Sequence, residues 1–205
     1  KLIYNNGGNY TSTNFEWPAA DGPFDVTIKN TGTNVTLNGG SVTAHGSKNR
    51  AVGAHSGSTV SLNNVGVTTD ARVGNSGGWG GHGVQAHGAG SVVNVNNSTV
   101  TASGASYSLG LQAQKGGLVT GSGNTISTSG TNSFGVEADS GGHVNISNST
   151  ITTSGATAAG ARALTGSGET ERGRFTCTNT IVTTTGAGAV CLMAGDDDGA
   201  GQPYS

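Results

Sequence analysis

The chain repeats one short phrase at near-constant spacing, and this repeat limits what the chain can fold into. Three close copies are TVTASG (99–104), TISTSG (125–130) and TITTSG (150–155), and two looser copies are SVTAHG (41–46) and VTTTG (182–186). The first apolar residue of each block recurs at steps of 25, 33, 26, 25 and 31 residues, at Val42, Val67, Val100, Ile126, Ile151 and Val182. A period of this size predicts a solenoid, in which successive coils stack and equivalent positions form ladders.

Two further apolar pairs follow in each block, so that every repeat contains three short strands. The pairs of strand two are Val52/Ala54, Val84/Ala86, Leu111/Ala113, Val136/Ala138 and Ala161/Ala163, and those of strand three are Val60/Leu62, Val93/Val95, Val144/Ile146 and Phe175/Cys177. This alternation predicts an all-β fold, a single-stranded parallel β-helix with three short strands per coil and about six to seven coils. We place an N-terminal cap at 1–24, the β-helix at 25–194 and a flexible polar tail at 195–205.

The composition and net charge of the chain limit the kinds of partner that it can bind. Gly contributes 38 of the 205 residues and charged residues only 10%, yet the regular Val and Ile spacing argues against disorder. The net charge of −2 provides no basic stripe, so we expect no nucleic-acid partner, and no apolar run is long enough to span a membrane. We expect no cofactor and no metal site, because two stacked histidines, His55 and His87, fall short of the three or four ligands that a metal needs.

Two cysteines fall in the last coils of the predicted solenoid. Alternation places Cys177 inward and Cys191 outward on different strands. In an oxidising compartment they would be close enough in sequence to pair, whereas their opposite directions argue against a disulfide. The sequence leaves both alternatives open.

At GVEADSGGHVNISNSTITTSG (135–155) the chain resembles the passenger domains of bacterial autotransporters, the pertactin-like adhesins. The resemblance covers about residues 41–194 and is compositional, so it informs the fold more than the function. It implies a right-handed parallel β-helix and a secreted or cell-surface location. More widely, the chain is similar to the pectate-lyase-like β-helix superfamily, which includes polysaccharide lyases, hydrolases and epimerases.

Two insertions lengthen the repeat, and both flank strand two. Residues 71–83 (ARVGNSGGWGGHG) separate strands one and two of one coil, and residues 165–174 (TGSGETERGR) separate strands two and three of another. Loops on a rigid scaffold are where binding and catalytic sites tend to be built. We therefore expect the outward face of strand two to form a shallow trough walled by the two insertions.

Two carboxylates, Glu137 and Asp139, are predicted to share this face. Residues i and i+2 of a strand are about 6.5–7 Å apart, which roughly suits the acid and base of an inverting glycosidase. Repulsion between them would raise one pKa and create a general acid. Arg162 lies one rung from Glu137, and an ion pair between these two explains both residues without catalysis.

Other groups complete the candidate site. Lys115 with Arg162 would suit a lyase, as base and carboxylate neutraliser, and His87 joins the same candidate catalytic set. The candidate substrate-binding residues are Trp79, His82, Gln85, Gln112, Gln114 and His55. The structural alternatives are solvated histidines and a Trp79 that packs into its own loop.

Strand one carries a different surface, a ladder of outward hydroxyls. Its members are Thr43, Thr68, Thr101, Ser127, Thr152 and Thr183, and the less regular column beside it is His45, Asp70, Ser103, Ser129, Ser154 and Thr185. A flat threonine ladder suits the binding of ice or of a crystalline polymer. β-Propensity combined with solubility is the structural alternative.

Three functions follow from these observations. The resemblance implies a secreted or cell-surface module for adhesion or surface interaction, whose ligand would be a host surface or a polysaccharide. The insertions beside a polar face favour a carbohydrate-active enzyme, or a lyase, hydrolase or isomerase that acts on a small-molecule substrate. The low charge, the few aromatic residues and the repeat favour the adhesion module.

Overall fold

The computed structural model of the protein describes residues 9–13, 24–28, 31–45, 50–71, 81–104, 106–166 and 169–196. Within these ranges the chain contains strands and turns but no helix, and its strands form three sheets that are parallel throughout. Each coil contributes one strand to each sheet. The prediction of an all-β, right-handed parallel β-helix with three strands per coil is confirmed, with about six coils.

Sheet 1 contains seven strands among the described residues, and six of them carry the predicted strand-one core residues. They are β1 (Asn9–Thr13), β4 (Ser41–His45), β7 (Gly66–Ala71), β10 (Thr99–Gly104), β13 (Thr125–Thr128), β16 (Thr150–Thr153) and β19 (Ile181–Thr184).

Sheet 2 contains seven strands, and they correspond to the predicted strand two. They are β2 (Phe24–Ile28), β5 (Arg50–His55), β8 (His82–His87), β11 (Leu109–Gln114), β14 (Phe134–Asp139), β17 (Ala159–Thr165) and β20 (Val190–Asp196).

Sheet 3 contains six strands. They are β3 (Asn34–Asn38), β6 (Thr59–Asn63), β9 (Val92–Asn96), β12 (Leu118–Ser122), β15 (His143–Ser147) and β18 (Arg174–Thr178).

The predicted ladder of strand-one core residues is present in the structure. Consecutive members pair in register along sheet 1, in the order Val42, Val67, Val100, Ile126, Ile151 and Val182. The core lies between the three sheets, and Leu62, Leu111, Ile126 and Ile151 are among its fully buried side chains. Burying a side chain of this size contributes about 1.5–3 kcal/mol, so the stacked rows carry the stability of the coil.

An asparagine column just before sheet 1 turns the chain from strand three to strand one. Asn64, Asn97, Asn148 and Asn179 have φ values of 59°, 48°, 47° and 48°. These values lie in the left-handed region, which asparagine tolerates better than most residues. Asn179 Nδ2 also donates a hydrogen bond to Asn148 Oδ1 at 3.4 Å.

The ends of the chain depart from the simple repeat. Most of the predicted cap (1–24) and tail (195–205) lies outside the described residues, although Asn9–Thr13 pairs with β4 as strand β1. Cys177 and Cys191 are both free and exposed, so they form no disulfide. The prediction that Cys191 faces outward is wrong: its sulfur lies 3.7 Å from Val182 O and from Thr184 Oγ1, towards sheet 1.

Candidate functional site

A short motif that recurs in sheet 2 determines which of its residues face outward. The copies are GVQA (83–86), GLQA (110–113), GVEA (135–138) and GARA (160–163). The glycine faces the core: a Cβ at Gly110 would lie 2.6 Å from Ile126 Cγ2, a distance that forces a shift. The next residue, Leu111, is also buried in the core, so the alternation resumes one position later. The residue before the glycine and the residue in the third position of the motif therefore share the outer face.

The third positions of the motif form a hydrogen-bonded column over four coils, which we call the polar ladder (Gln85, Gln112, Glu137 and Arg162). Gln85 Nε2 donates to Gln112 Oε1 at 2.5 Å, and Gln112 Nε2 donates to Glu137 Oε1 at 2.6 Å. Arg162 donates to Glu137 Oε2 from Nε at 2.8 Å and also from Nη2. The ion pair foreseen between Arg162 and Glu137 is present, and both oxygens of Glu137 are engaged.

Three of the four members of the polar ladder are buried, and Arg162 is partly exposed. The exposed fraction is 1% for Gln85, 5% for Gln112 and 3% for Glu137. The expectation of a shallow trough open to solvent is therefore wrong at these positions. Alternation along a strand fixes the direction of a side chain but not whether the outward face is covered. A buried carboxylate is tolerable here because it is paired with a cation and fully hydrogen-bonded.

Asp139 lies in the next column of the same face and is 8% exposed. Gln114 Nε2 donates to its Oδ2 at 2.9 Å, and Ser140 Oγ donates to its Oδ1 at 2.8 Å. Burial raises the pKa of Asp139 above 3.8; the Ser140 hydrogen bond opposes the shift, and the charge of Glu137 adds to it. Both carboxylates of the candidate acid–base pair thus already have their oxygens occupied by protein donors.

The first residues of the sheet 2 strands form a further outward column. In register these are Arg50, His82, Leu109, Phe134 and Ala159. His82, predicted on the insertion loop, is instead the first residue of β8, because it pairs with Leu109 and Arg50 in the ladder. The guanidinium carbon of Arg162 lies 3.6 Å from the Phe134 ring centroid, which adds a cation–π contact to the ion pair.

Burial dominates the electrostatics of this column. Desolvation lowers the pKa of His82 well below 6.5, the charge of Arg50 acts in the same direction, and a hydrogen bond with Gln112 opposes both. Desolvation also lowers the pKa of Arg50, and the charge of Glu137 opposes that shift. His82 is therefore neutral near pH 7, and its Nδ1 has no hydrogen-bond partner among the residues that the structure describes.

The remaining predicted site residues lie around the polar ladder. His55 and His87 stack as predicted, with ring centroids 5.1 Å apart. Lys115 lies in the turn after β11, and its Nζ pairs with Glu169 Oε1 of the second insertion at 3.6 Å. Trp79 lies outside the described residues. In the part of the chain that the structure describes, no group of three or more His, Cys, Asp or Glu side chains is placed to hold a metal ion.

The outer faces of sheets 1 and 3 differ in how their polar groups are used. On sheet 3, amides bond along the ladder: Asn63 Nδ2 donates to Asn38 Oδ1 at 2.9 Å, and Asn96 Nδ2 donates to Asn63 Oδ1 at 3.3 Å. On sheet 1, Thr99 pairs in register with Thr125, and Thr125 with Thr150. This column of Thr99, Thr125 and Thr150 was not predicted from the sequence. The T-x-T or T-x-S pattern of the repeated phrase indicates it, because residues i and i+2 of a strand share a face.

The C-terminal end of the stack exposes apolar side chains. Ile181 is 65% exposed and Leu192 63% exposed. A cavity of about 240 Å³ opens here between β17, β18 and β20, and its lining includes Ala161, Phe175, Leu192 and Met193. Leu192 pairs with the buried Ala161 and occupies an inward position, so its exposure reflects its place at the end of the described coils.

Comparisons with known proteins found no counterpart for the chain: no family model, no curated protein and no solved structure matches it. Among the described residues, no helix is long and apolar enough to cross a membrane. The function must therefore be argued from the residues themselves.

Proposed function

We propose that this protein is a secreted or cell-surface β-helix module that acts by adhesion or surface interaction and not by catalysis. The proposal rests on the burial and hydrogen bonding of the two candidate catalytic carboxylates. Glu137 is buried and bound by Arg162 and Gln112, and Asp139 is buried and bound by Gln114 and Ser140. A carboxylate that accepts bonds on both oxygens from fixed protein donors has little capacity left to move a proton for a substrate.

The exposed faces supply what a surface-interaction module needs. Sheets 1 and 3 present long rows of Thr, Ser and Asn side chains at regular rungs, on a scaffold fixed by in-register pairing. The resemblance of residues 135–155 to the passenger domains of pertactin-like adhesins supports the same proposal and the same location. A host surface or a polysaccharide is the class of ligand that we expect.

The proposal is tested by separating binding from turnover. The protein would be incubated with soluble and insoluble polysaccharides, and both the adsorbed protein and any released products would be measured. We expect adsorption to at least one surface, no product, and unchanged adsorption by the Glu137→Gln variant. Turnover that the Glu137→Gln substitution abolishes would overturn the proposal.

A carbohydrate-active or small-molecule enzyme is the second candidate, and one observation favours it. Burial raises the pKa of Asp139, which is the shift that a general acid requires, and the carboxylate of Glu137 lies two residues away on the same strand. This alternative requires the hydrogen bonds that protein donors make to both carboxylates to break when a substrate binds. It predicts that Asp139→Asn removes activity while leaving the fold intact, as measured by product release and by circular dichroism.

A further inference from the structure

The outer face of sheet 1 carries a two-column grid of hydroxyls in its central coils. We call it the threonine face and define it by Thr99, Thr101, Thr125, Ser127, Thr150 and Thr152. The three rungs pair in strict register, Thr99 with Thr125 and Thr150, and Thr101 with Ser127 and Thr152. Thr99 and Thr125 are exposed, and the other four are half-buried, as expected for side chains that stand side by side on a sheet.

The grid has fixed spacing in both directions. Successive rungs of a sheet are about 4.8 Å apart, and the two columns are about 6.5–7 Å apart along each strand. Backbone pairing on both sides of β13 holds this spacing, and the side chains of Val100, Ile126 and Ile151 anchor the same strands from the core. The hydroxyls are therefore positioned by the fold and need little ordering when they bind.

The grid is uncharged. Across β10, β13, β16 and β19 the outward residues are Thr, Ser or Ile, and the sequence of these strands contains no charged or aromatic residue. Recognition of an anionic surface would require basic side chains, and carbohydrate recognition commonly uses an aromatic face. Neither is present on the threonine face.

The hydroxyls of the threonine face are free, in contrast to the asparagine amides of sheet 3 and to the polar ladder of sheet 2. No hydrogen bond within the described residues uses the hydroxyl of Thr99, Thr101, Thr125, Ser127, Thr150 or Thr152, whereas the amides of Asn63 and Asn96 on sheet 3 bond along their ladder. Five of the six hydroxyls belong to threonines, whose methyl group lies beside the hydroxyl. Free hydroxyls at fixed intervals present hydrogen-bond donors and acceptors to a surface at a regular spacing.

We infer that the threonine face binds ice. Ice is an uncharged lattice of oxygen atoms that repeats in two dimensions over distances of the same order as the rung and column spacings, and each oxygen both donates and accepts hydrogen bonds, as a threonine hydroxyl does. The inference rests on the proposed surface-interaction function and assigns ice to the threonine face, in place of the host surface or polysaccharide named above. Crystalline polysaccharide is the competing surface that the experiment below separates from ice.

The test is adsorption to slowly growing ice, measured as the fraction of protein taken into the ice relative to the fraction left in the liquid. We expect the wild-type protein to be enriched in the ice and the Thr125→Lys variant to lose about tenfold of that enrichment, because a long charged side chain at the centre of the grid prevents close contact. The matched control is Thr120→Lys, on the outer face of sheet 3 in a central coil. It should retain wild-type enrichment, and circular dichroism checks that both variants fold.

Exclusion of the wild-type protein from ice, or equal losses for Thr125→Lys and Thr120→Lys, would overturn the inference. If the wild-type protein instead adsorbs to crystalline cellulose or chitin and is excluded from ice, the ice assignment is wrong and the surface-interaction function stands. Product release dependent on Glu137, with no adsorption to any surface, would overturn the proposed function itself.

Discussion

The outer faces of sheets 1 and 2 stand on the same coils, yet they use their polar side chains in opposite ways. On sheet 2 the polar ladder is buried from Gln85 to Glu137, and its groups bind one another as far as Arg162. On sheet 1 the hydroxyls of Thr125 and Thr152 reach solvent and bind no other described residue. The difference shows that outward polar residues of one β-helix can bond to one another within the fold or stay free to contact solvent, and that their direction alone does not distinguish the two.

Among the substitutions considered, we expect one at Arg162 to change the free energy of unfolding most. Arg162→Met would leave Glu137 buried without its cation, which should lower the free energy of unfolding by about 3 kcal/mol. Urea unfolding followed by circular dichroism at neutral pH measures this loss. The Glu137→Gln/Arg162→Met double variant should recover most of it, because a neutral glutamine continues the amide column. A loss below about 0.5 kcal/mol for Arg162→Met would mean that the polar ladder is solvated.

The second prediction concerns the pH dependence caused by His82. Its pKa is lowered well below the ordinary 6.5 in the folded protein, so as the pH falls below 6.5 the unfolded chain takes up a proton that the folded protein does not. Stability due to this group is therefore complete above pH 6.5 and falls by up to about 1.4 kcal/mol per pH unit below it. The His82→Gln variant should lack this slope. An unchanged slope in that variant would show that His82 is protonated in the folded state.

The third prediction contrasts the two sides of a single strand of sheet 1. Thr153 faces the core, and its buried hydroxyl has no hydrogen-bond partner in the described part of the chain. Thr153→Val should therefore raise the free energy of unfolding by about 1 kcal/mol, because it removes an unsatisfied group at nearly constant volume. The neighbouring Thr152→Val, on the outer face, should change stability by less than about 0.5 kcal/mol. Thermal unfolding of both variants measures the contrast, and a destabilised Thr153→Val would contradict it.

The fourth and smallest effect is expected at Asp139, with the opposite sign to that of His82. The pKa of Asp139 is raised above 3.8 by burial, so the folded protein holds its proton to higher pH than the unfolded chain does. Stability due to this group therefore falls as the pH rises from 3.8 through the raised pKa, and it stays low above that value. The difference in unfolding free energy between Asp139→Asn and the wild type should shift in favour of the variant over this range. A difference independent of pH would show an ordinary, solvated carboxyl.

The sequence predicted the fold well because register in a solenoid follows directly from apolar periodicity. The spacing of Val100, Ile126 and Ile151 placed them on one ladder, and that ladder is present. The same reasoning placed Glu137 beside Arg162, and they form an ion pair. Equivalent residues of successive coils pair, so a single sequence is enough to predict the pairing from the length of its repeat.

The sequence analysis failed where a side chain's surroundings depend on more than the period. It gave the direction of Gln85 and Glu137 but not their burial, because coverage of a face depends on the rest of the chain. His82 was placed on a loop because the first insertion was drawn as far as residue 83. Cys191 was placed outward because strict alternation was assumed along its strand, whereas it pairs in phase with the glycine of the Gly-apolar-x-Ala motif in β17. In that motif two successive residues face the core, as Gly110 and Leu111 do. The residues that precede this pair therefore point in the opposite direction to the one that strict alternation predicts.

Labelling of carboxyl groups in the native protein, read out by mass spectrometry, tests the contrast between closed and open faces most directly. A water-soluble carbodiimide with an amine would be applied at near-neutral pH, and the exposed Glu169 and Glu171 would serve as controls within the same molecule. We expect Glu169 and Glu171 to be labelled rapidly and Glu137 to be labelled only after denaturation. Labelling of Glu137 in the folded protein as fast as Glu171 would show that the polar ladder is open to solvent and would return it to the candidates for an active site.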